Sequence, residues 1–410
     1  MVLDFIIKYK FVILFYLAVI LFLYLKRKNI QRQAKVIFLY RMKLGLRWMD
    51  KYARKFREWV ILFGYIGMGT GFVGLIFISY ILVKNLYSLI TQPAVANGVS
   101  LVLPGIAIPG FGILTFWDWI ISIFVIALVH EFSHGIVARA HNIEVKNTGI
   151  VFFGPILGAF VEPNEEKLRK EKDIVQYSVL AAGSFSNIVL SVLAFLLLSF
   201  VFAPLQGMMV EPTGFTFDDY VGETKGGVYP FAEAGIQPGT IITGINDQKV
   251  RNFQEFSAEL MFYRPGETIT INTDNKDYSI ALAENPDKPK TPFLGIQAIK
   301  NKVAVKEPFK AGIGKVIYTI FEWFNGLGGG TPGFLRWLFL LSIGIGLFNL
   351  LPLPIVDGGR MAQVFLHKLK GAEKGERRYH QISIFFLLIL LLNLFYPGLT
   401  KLVSYLGTLF

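Results

Sequence analysis

Apolar positions along the chain fall into two regimes. In the first they run almost unbroken, at about 5–25, 58–90, 112–140, 174–203, 331–352 and 381–397. A run of about 20 apolar residues matches the roughly 30 Å hydrocarbon core of a bilayer, so six membrane spans are expected. The tail Leu399–Phe410 reads as a surface segment or as an extension of the last span. In the second regime, over residues 205–303, short strand-like runs are punctuated by Gly, Pro, Asn and Asp, the pattern of a separate soluble domain. Its middle, "GGVYPFAEAGIQPGTIITGINDQKVRNFQEFSAEL", predicts a strand and a short helix at about 231–234. A turn at Pro238-Gly239, a strand over Thr240–Ile245, a turn at Asn246-Asp247 and an amphipathic helix follow. The segment "GETITINTDNKDYSIALA" then reads as a strand pair.

Three segments fit neither regime. Residues 32–59, "RQAKVIFLYRMKLGLRWMDKYARKFREW", interleave basic with apolar and aromatic residues, as an interfacial helix does. A second interfacial helix is expected in "KEPFKAGIGKVIYTIFEWF", leading through Gly328-Gly329-Gly330 to the fifth span. Residues 143–163, "IEVKNTGIVFFGPILGAFVEP", are apolar and rich in β-branched residues but broken by Gly149, Gly154-Pro155 and Gly158, so a hairpin is expected rather than a helix. Non-helical backbone at membrane depth is tolerated where it is buried in protein or lines a wet cavity, which makes this a re-entrant hairpin.

Charge orients the spans. The formal net charge is +12, and Lys and Arg cluster beside the apolar runs at 26–57, 164–172 and 367–380. Six spans put all three clusters on the cytoplasmic side and the 205–303 insert outside the cell membrane. Basic residues so placed are topology determinants and headgroup contacts, which argues against nucleic acid as a partner. The first run ends in Lys26-Arg27-Lys28 without a small-residue cleavage pattern, as a retained anchor would. There is no cysteine, so any metal must be held by His, carboxylate or water.

Chemistry concentrates in "ALVHEFSHGIVARA", residues 127–140, inside the third run. On a helix, residues four apart lie about 40° apart on one face, so His130 and His134 can reach a single ion. Glu131 stands beside the first of them, where its carboxylate can take a proton from water. Ionisable groups at a span centre cost about 2.5–3.5 kcal/mol each on insertion scales, and a bound cation is the partner that compensates them. Arg139 and His141, at the end of the span, are expected to reach out to headgroups. A catalytic zinc site has three protein ligands and one open position, so a third ligand is required. Asp357 in "FNLLPLPIVDGGRM" is the candidate: Pro352 and Pro354 end the fifth run, and Gly358-Gly359 allows a turn that aims the carboxylate back into the bundle. Both motifs close inward-running spans, so they reach the same side at comparable depth.

"HEFSH" together with "NLLPLPIVDGG" resembles the site-2 protease family of intramembrane zinc metalloproteases, of the PDZ-containing prokaryotic type, with motifs H-E-x-x-H and N-x-x-P-x-P-x-x-D-G. The order of elements in the insert, with Ala234-Gly235, Pro238-Gly239 and "IITGINDQKV", likewise resembles PDZ domains of bacterial envelope proteases. The resemblance implies one Zn2+ on His130, His134 and Asp357, with Glu131 as general base and acid. It implies substrate positioning by Asn349, the motif asparagine. "AAGSFSNIVL" resembles the family's G-P-x-x-N signature at Gly183 and Asn187, also a substrate-positioning candidate, with Ser184 in place of the usual proline. The substrates implied are single-span membrane proteins, cut within or near their spans in regulated intramembrane proteolysis. The PDZ domain would filter clients or bind an exposed peptide terminus.

The expected fold is therefore a polytopic α-helical membrane protein with a re-entrant β-hairpin and an inserted extracytoplasmic α+β PDZ domain. Residues 1–57 form an anchor and basic interfacial segment, and 58–204 the first part of the membrane core. The PDZ domain covers 205–303, an interfacial helix 304–330, and the second part of the core 331–410. Two other classes compete. A metal-gated transporter or channel would be built on two related halves, and no internal repeat is present. An inactive PDZ scaffold would have no reason to keep Glu131.

Overall fold

In an apolar setting every backbone N–H and C=O must be paired within the protein, and the long apolar runs do this as helices. The computed structural model describes residues 2–33, 37–92, 99, 102–108, 111–154, 156–221, 229–326 and 332–407. Pro155, the expected Gly328–Gly330 link and residues 408–410 of the tail lie outside the described residues. The chain divides into two units, residues 1–196 with 335–410, and residues 197–334.

The first unit opens with helix α1 (Val2–Leu25). The stretch expected as one interfacial helix then divides into strands β1 (Ile30–Gln33) and β2 (Ile37–Met42) and helix α2 (Leu46–Lys55). The physical reason is local: Ile37-Phe38-Leu39-Tyr40 is a β-branched and aromatic run, and Gly45 turns the chain with φ +86° at the helix cap. Helix α2 buries Met49 and Ala53 and leaves Trp48, Tyr52 and Phe56 as an exposed aromatic ladder, stacked at 6.1 and 6.2 Å. Helix α3 (Arg57–Thr91) follows, then a short strand pair, β3 (Ala107–Ile108) and β4 (Gly112–Ile113). Helix α4 (Phe116–Ala140) is capped by Thr115, whose Oγ1 accepts from the Asp118 amide at 3.2 Å.

Strands β5 (Val145–Phe153) and β6 (Ile156–Pro163) pair antiparallel, and β2 pairs with β5, giving one sheet in the order β1-β2-β5-β6. After the short helix α5 (Glu165–Lys170), helix α6 (Asp173–Leu197) runs into a π-helical turn and helix α7 (Ala203–Met209).

Helix α3 owes its position to glycine. Gly64, Gly67, Gly71 and Gly74 are buried on one face, and a Cβ at Gly67 would lie 3.2 Å from Phe185. At Gly71 it would meet Met361 at 3.0 Å and Ala181 at 3.1 Å, and at Gly74 it would strike Leu350. Small residues let backbones approach where lipid supplies no hydrophobic drive between helices.

The second unit is an α+β body, and α7 belongs to it. It comprises β7 (Val210–Tyr220), α8 (Pro230–Glu233), β8 (Ile242–Ile245), β9 (Gln248–Lys249) and α9 (Phe253–Leu260). Strands β10 (Thr268–Thr273), β11 (Tyr278–Ala281), β12 (Ala283–Asn285), β13 (Lys288–Phe293) and β14 (Ile296–Val305) follow, then helix α10 (Gly312–Asn325). Its main sheet has the order β11-β10-β8-β7-β14 and closes over Phe215, Phe217, Phe231, Ile242, Phe256 and Ile271, all fully buried. Asn246 and Asp247 both take positive φ, 47° and 65°, as a two-residue hairpin turn between β8 and β9 requires. Asn252 caps α9 by accepting from the Glu255 amide at 2.8 Å, and Glu255 accepts from the Arg251 amide at 2.8 Å.

The chain completes the first unit with α11 (Phe334–Phe348), α12 (Asp357–Lys370) and α13 (Ala372–Gly407). Asn393 of α13 is fully buried and ties this helix to α3, accepting from Asn85 at 2.9 Å and donating to the Leu82 carbonyl at 3.2 Å. Among the described residues four helical stretches are long and apolar enough to cross a membrane: 57–91, 116–140, 173–209 and 372–396. Tyr9–Leu25 and Phe334–Phe348 are shorter apolar helices.

Replacing Gly71 by Leu should drive α3 off α6 and α12 and cost about 1–3 kcal/mol of overpacking strain. Gly69→Leu, which meets nothing within 4 Å, should cost far less. Thermal unfolding of the two variants in detergent measures the difference, and equal midpoints would contradict the glycine contact.

Candidate metal centre

The centre is assembled by three helices far apart in sequence. Helix α4 brings His130 and His134 to one face with ring centroids 4.7 Å apart. Their Nε2 atoms lie 3.1 Å from each other, and Asp357 Oδ2 lies 3.1 Å from the first and 3.3 Å from the second.

Asp357 gets there through a turn that the local sequence enforces. Pro352 and Pro354 cannot continue α11, and the chain doubles back so that the Gly358 amide donates to the Asn349 carbonyl at 2.8 Å. Side chains at 358 and 359 would collide with the backbone of Leu350 and Leu353, so the glycines permit the close return that starts α12 at Asp357.

Each ligand is backed by helix α6. His134 Nδ1 lies 2.7 Å from the Val179 carbonyl, and His130 Nδ1 lies 3.1 Å from Asn187 Nδ2. Ser184 Oγ donates to Asp357 Oδ2 at 3.4 Å. Gly183 forms the remaining wall: a Cβ there would lie 2.6 Å from His130 Nε2 and strike His134 Nε2.

This donor set fits a divalent cation. Zinc bonds of about 2.0–2.1 Å in a tetrahedron put ligand atoms about 3.3 Å apart, close to the spacing of these three. Three electron-pair donors so placed repel one another unless a cation or protons lie between them. The space that Gly183 keeps clear adjoins both imidazole nitrogens. His130, His134 and Asp357 form the one such cluster among the described residues.

Glu131 projects differently from its neighbours. Its Oε2 accepts from the Val161 amide of β6 at 2.9 Å. Val161 is paired with Thr148 of β5, and β6 is the last strand of its sheet, so this amide belongs to an edge that no other strand covers. Next along β6, Glu162 is gripped by Arg41 Nε at 2.9 Å and by Asn147 Nδ2 at 3.0 Å. The Arg41 hydrogen bond holds the Glu162 carboxyl below the usual carboxylate range. The clamp therefore contributes fully above about pH 4.5 and is lost as pH falls through the lowered folded value.

Of the residues singled out in sequence, His130, Glu131, His134, Asp357 and Asn187 come together here. Asn187 is fully buried behind His130, on the side away from Asp357's approach to the ring's other nitrogen. Asn349 stands at the turn, half-buried, with its carbonyl used by Gly358 and its side-chain amide unbonded among the described residues. Arg139 does not reach out to headgroups: it pairs with Asp50 at 3.2 Å and donates to the Val145 carbonyl at 2.9 Å, fastening the end of α4 to α2 and β5. His141 likewise turns inward, 3.2 Å from Ser178 Oγ. Sequence reading missed the Val161 amide and the Val179 carbonyl, since backbone groups leave no signal in residue identity.

The sequence model of Peptidase family M50 matches residues 119–394, or 276 of the 410 residues, and the match contains every residue of the centre. An uncharacterized protein of Methanocaldococcus jannaschii is 26% identical over 350 residues, covering 83% of this chain and 81% of its own. The zinc metalloprotease RasP of Oceanobacillus iheyensis is 26% identical over 255 residues, covering 52% of this chain and 57% of its own. A protein of Rickettsia conorii, named provisionally as a zinc metalloprotease, is 21% identical over 337 residues, covering 63% of this chain and 90% of its own. With its apolar helices and a His-His-Asp group able to hold the ion, the chain belongs to peptidase family M50, the site-2 proteases, and is a zinc metalloprotease of the membrane.

Proposed function

We propose that the chain hydrolyses peptide bonds within or near the transmembrane segments of single-span membrane proteins, as in regulated intramembrane proteolysis. His130, His134 and Asp357 hold one zinc ion, and Glu131 is the general base and acid. The observation that carries this reading is the juxtaposition of the His-His-Asp group with a carboxylate held at a strand edge that, among the described residues, pairs with no further strand.

Zinc, when bound, supplies Lewis acidity and lowers the pKa of water it holds to about 7. Glu131 accepts the proton of the attacking water and later delivers it to the leaving amine. The Val161 amide keeps the carboxylate at its post between these transfers.

A helical substrate hides its carbonyls in its own hydrogen bonds, so the scissile stretch must unwind and find new partners. The edge of β6 offers them. Alternation along a strand sends the N–H groups of Leu157 and Ala159 to the same side as that of Val161, where an extended segment can add as a further strand. The Arg41–Glu162 clamp and β1-β2 stiffen that edge from behind, and the Asn349 side-chain amide, unbonded among the described residues, is suited to a substrate backbone group. In this reading β5-β6 is re-entrant, six helices span the membrane and the metal lies toward the cytoplasm.

Residues 205–303 are read as an extracytoplasmic PDZ domain that screens clients by size or captures a chain terminus. Helix α10, with Ile313, Val316 and Ile320 exposed, is read as lying on the membrane surface.

Glu131→Gln should keep zinc and lower turnover of a single-span substrate by roughly 10²–10⁴-fold; normal cleavage by the purified variant would sink the mechanism. Gly183→Ala should abolish zinc retention, read by metal analysis, because its methyl group occupies the metal pocket. Deleting residues 210–300 should deregulate cleavage if the domain filters clients and abolish it if the domain recruits them. Cleavage with unchanged client selection would contradict both roles.

A further inference from the structure

Helix α6 contributes no metal ligand, yet each of the three ligands meets it. Ser184 and Asn187, three residues apart, share a face and touch Asp357 and His130, while the backbone carbonyl of Val179 meets His134. We infer that this face of α6 sets the orientation and tautomer of the whole ligand set, with Asn187 acting as the hydrogen-bond acceptor that commits His130 to bind metal through Nε2. The inference rests on the zinc reading above.

A neutral imidazole carries one N–H, and the nitrogen that ligates must be the bare one. For His134 the matter is decided by the Val179 carbonyl: it can only accept, so Nδ1 at 2.7 Å carries the hydrogen and Nε2 is left for the ion. His130 needs the same arrangement, and the group facing its Nδ1 is the Asn187 amide, with Nδ2 at 3.1 Å. An amide nitrogen donates and would favour hydrogen on Nε2, the wrong tautomer for ligation. The Asn187 Oδ1 atom, meanwhile, is buried without a hydrogen-bond partner.

Turning the amide by 180° exchanges two atoms of nearly equal size and lets Oδ1 accept from Nδ1–H. Either orientation leaves one amide atom unpaired, so the imidazole decides between them. Because Asn187 is fully buried, its amide serves the histidine and does not reach substrate.

Ser184 completes the set. It occupies the position where the family signature has proline, which lacks both a hydroxyl and an N–H. Serine keeps α6 continuous from Asp173 to Leu197, and its fully buried hydroxyl donates to Asp357 Oδ2. Asn187 and Ser184 are thus positioning residues acting through the ligands.

The test is zinc competition against a chromophoric chelator, with the full-length protein in detergent, together with visible spectra of the cobalt-substituted protein. Asn187→Leu should bind zinc about 10–100-fold more weakly and shift the cobalt bands, as loss of an outer hydrogen-bond partner does. Asn187→Asp, a fixed acceptor of the same shape, should bind at least as tightly as wild type and restore the bands. Ser184→Ala should weaken binding about 10-fold without the tautomer-dependent rescue.

If Asn187→Leu binds as wild type does, or if a well-folded Asn187→Asp is as weak as the Leu variant, the acceptor role is wrong. Should the Leu variant fail to fold, the Asp and Ser184→Ala measurements still decide. His134→Ala separates the two levels: undiminished zinc binding in that variant would overturn the metal site itself, whereas its loss together with an unaffected Asn187→Leu overturns only the inference about α6.

Discussion

Three electron-rich side-chain atoms lie within about 3.3 Å of one another inside an apolar bundle, and the rest of the structure answers to that fact. Bulk water solvates them little there, and polar groups at a span centre cost a few kcal/mol each unless paired. A cation satisfies the inner side of each ligand. The outer sides need partners too, and α6 supplies them with a carbonyl, a hydroxyl and an amide. Helix α6 must therefore lie close to both α4 and α12. Closeness of that kind comes from residues with little or no side chain: the glycine face of α3, Gly183 opposite the imidazoles, and Gly358-Gly359 at the return of the chain. The glycines and the metal ligands are two aspects of one packing problem.

The sheet solves a second problem, bringing extended backbone to a helical site. Strand β6 is held on one side by β5, and through β5 by β2 and β1, while its other side meets α4. The Val161 amide joins the Glu131 carboxylate to this edge, so that carboxylate and the strand are held together. Arg41 contributes from the N-terminal hairpin, 121 positions from Glu162, which makes the segment after α1 part of the site's support. The segment is thus more than a tether to the lipid surface.

How far the sequence could be read depended on the range of the determining interaction. His130, Glu131 and His134 were legible because helical periodicity alone puts residues four apart on one face. The Pro-rich turn before Asp357 was legible because proline and glycine act on their immediate neighbours. The same holds for the Asn246-Asp247 turn. Residues 32–33 and 37–42 are expected as helix and form strands, because basic and apolar residues alternate there in a way that suits either an interfacial helix or a strand. What decides is the hydrogen-bonding edge of β5 waiting over a hundred residues further on. Arg139 differs from expectation for a similar reason: Asp50, distant in sequence, and the Val145 carbonyl, a backbone group, offer it closer partners than headgroups, and neither shows in the residue pattern.

By itself, then, the sequence determined the apolar helices, the spacing of the two histidines and their glutamate, the Pro-Gly turn that begins α12, and the change to a strand-rich insert. These follow from residue type and short-range geometry. Only the tertiary structure decided that Asp357 reaches the histidines, that Glu131 rests on a strand edge, and that Asn187 is buried against His130. Those facts depend on helix contacts and strand pairings between distant segments, where the partner is often a backbone group or a space left by a glycine. No residue pattern along the chain specifies which such group will arrive.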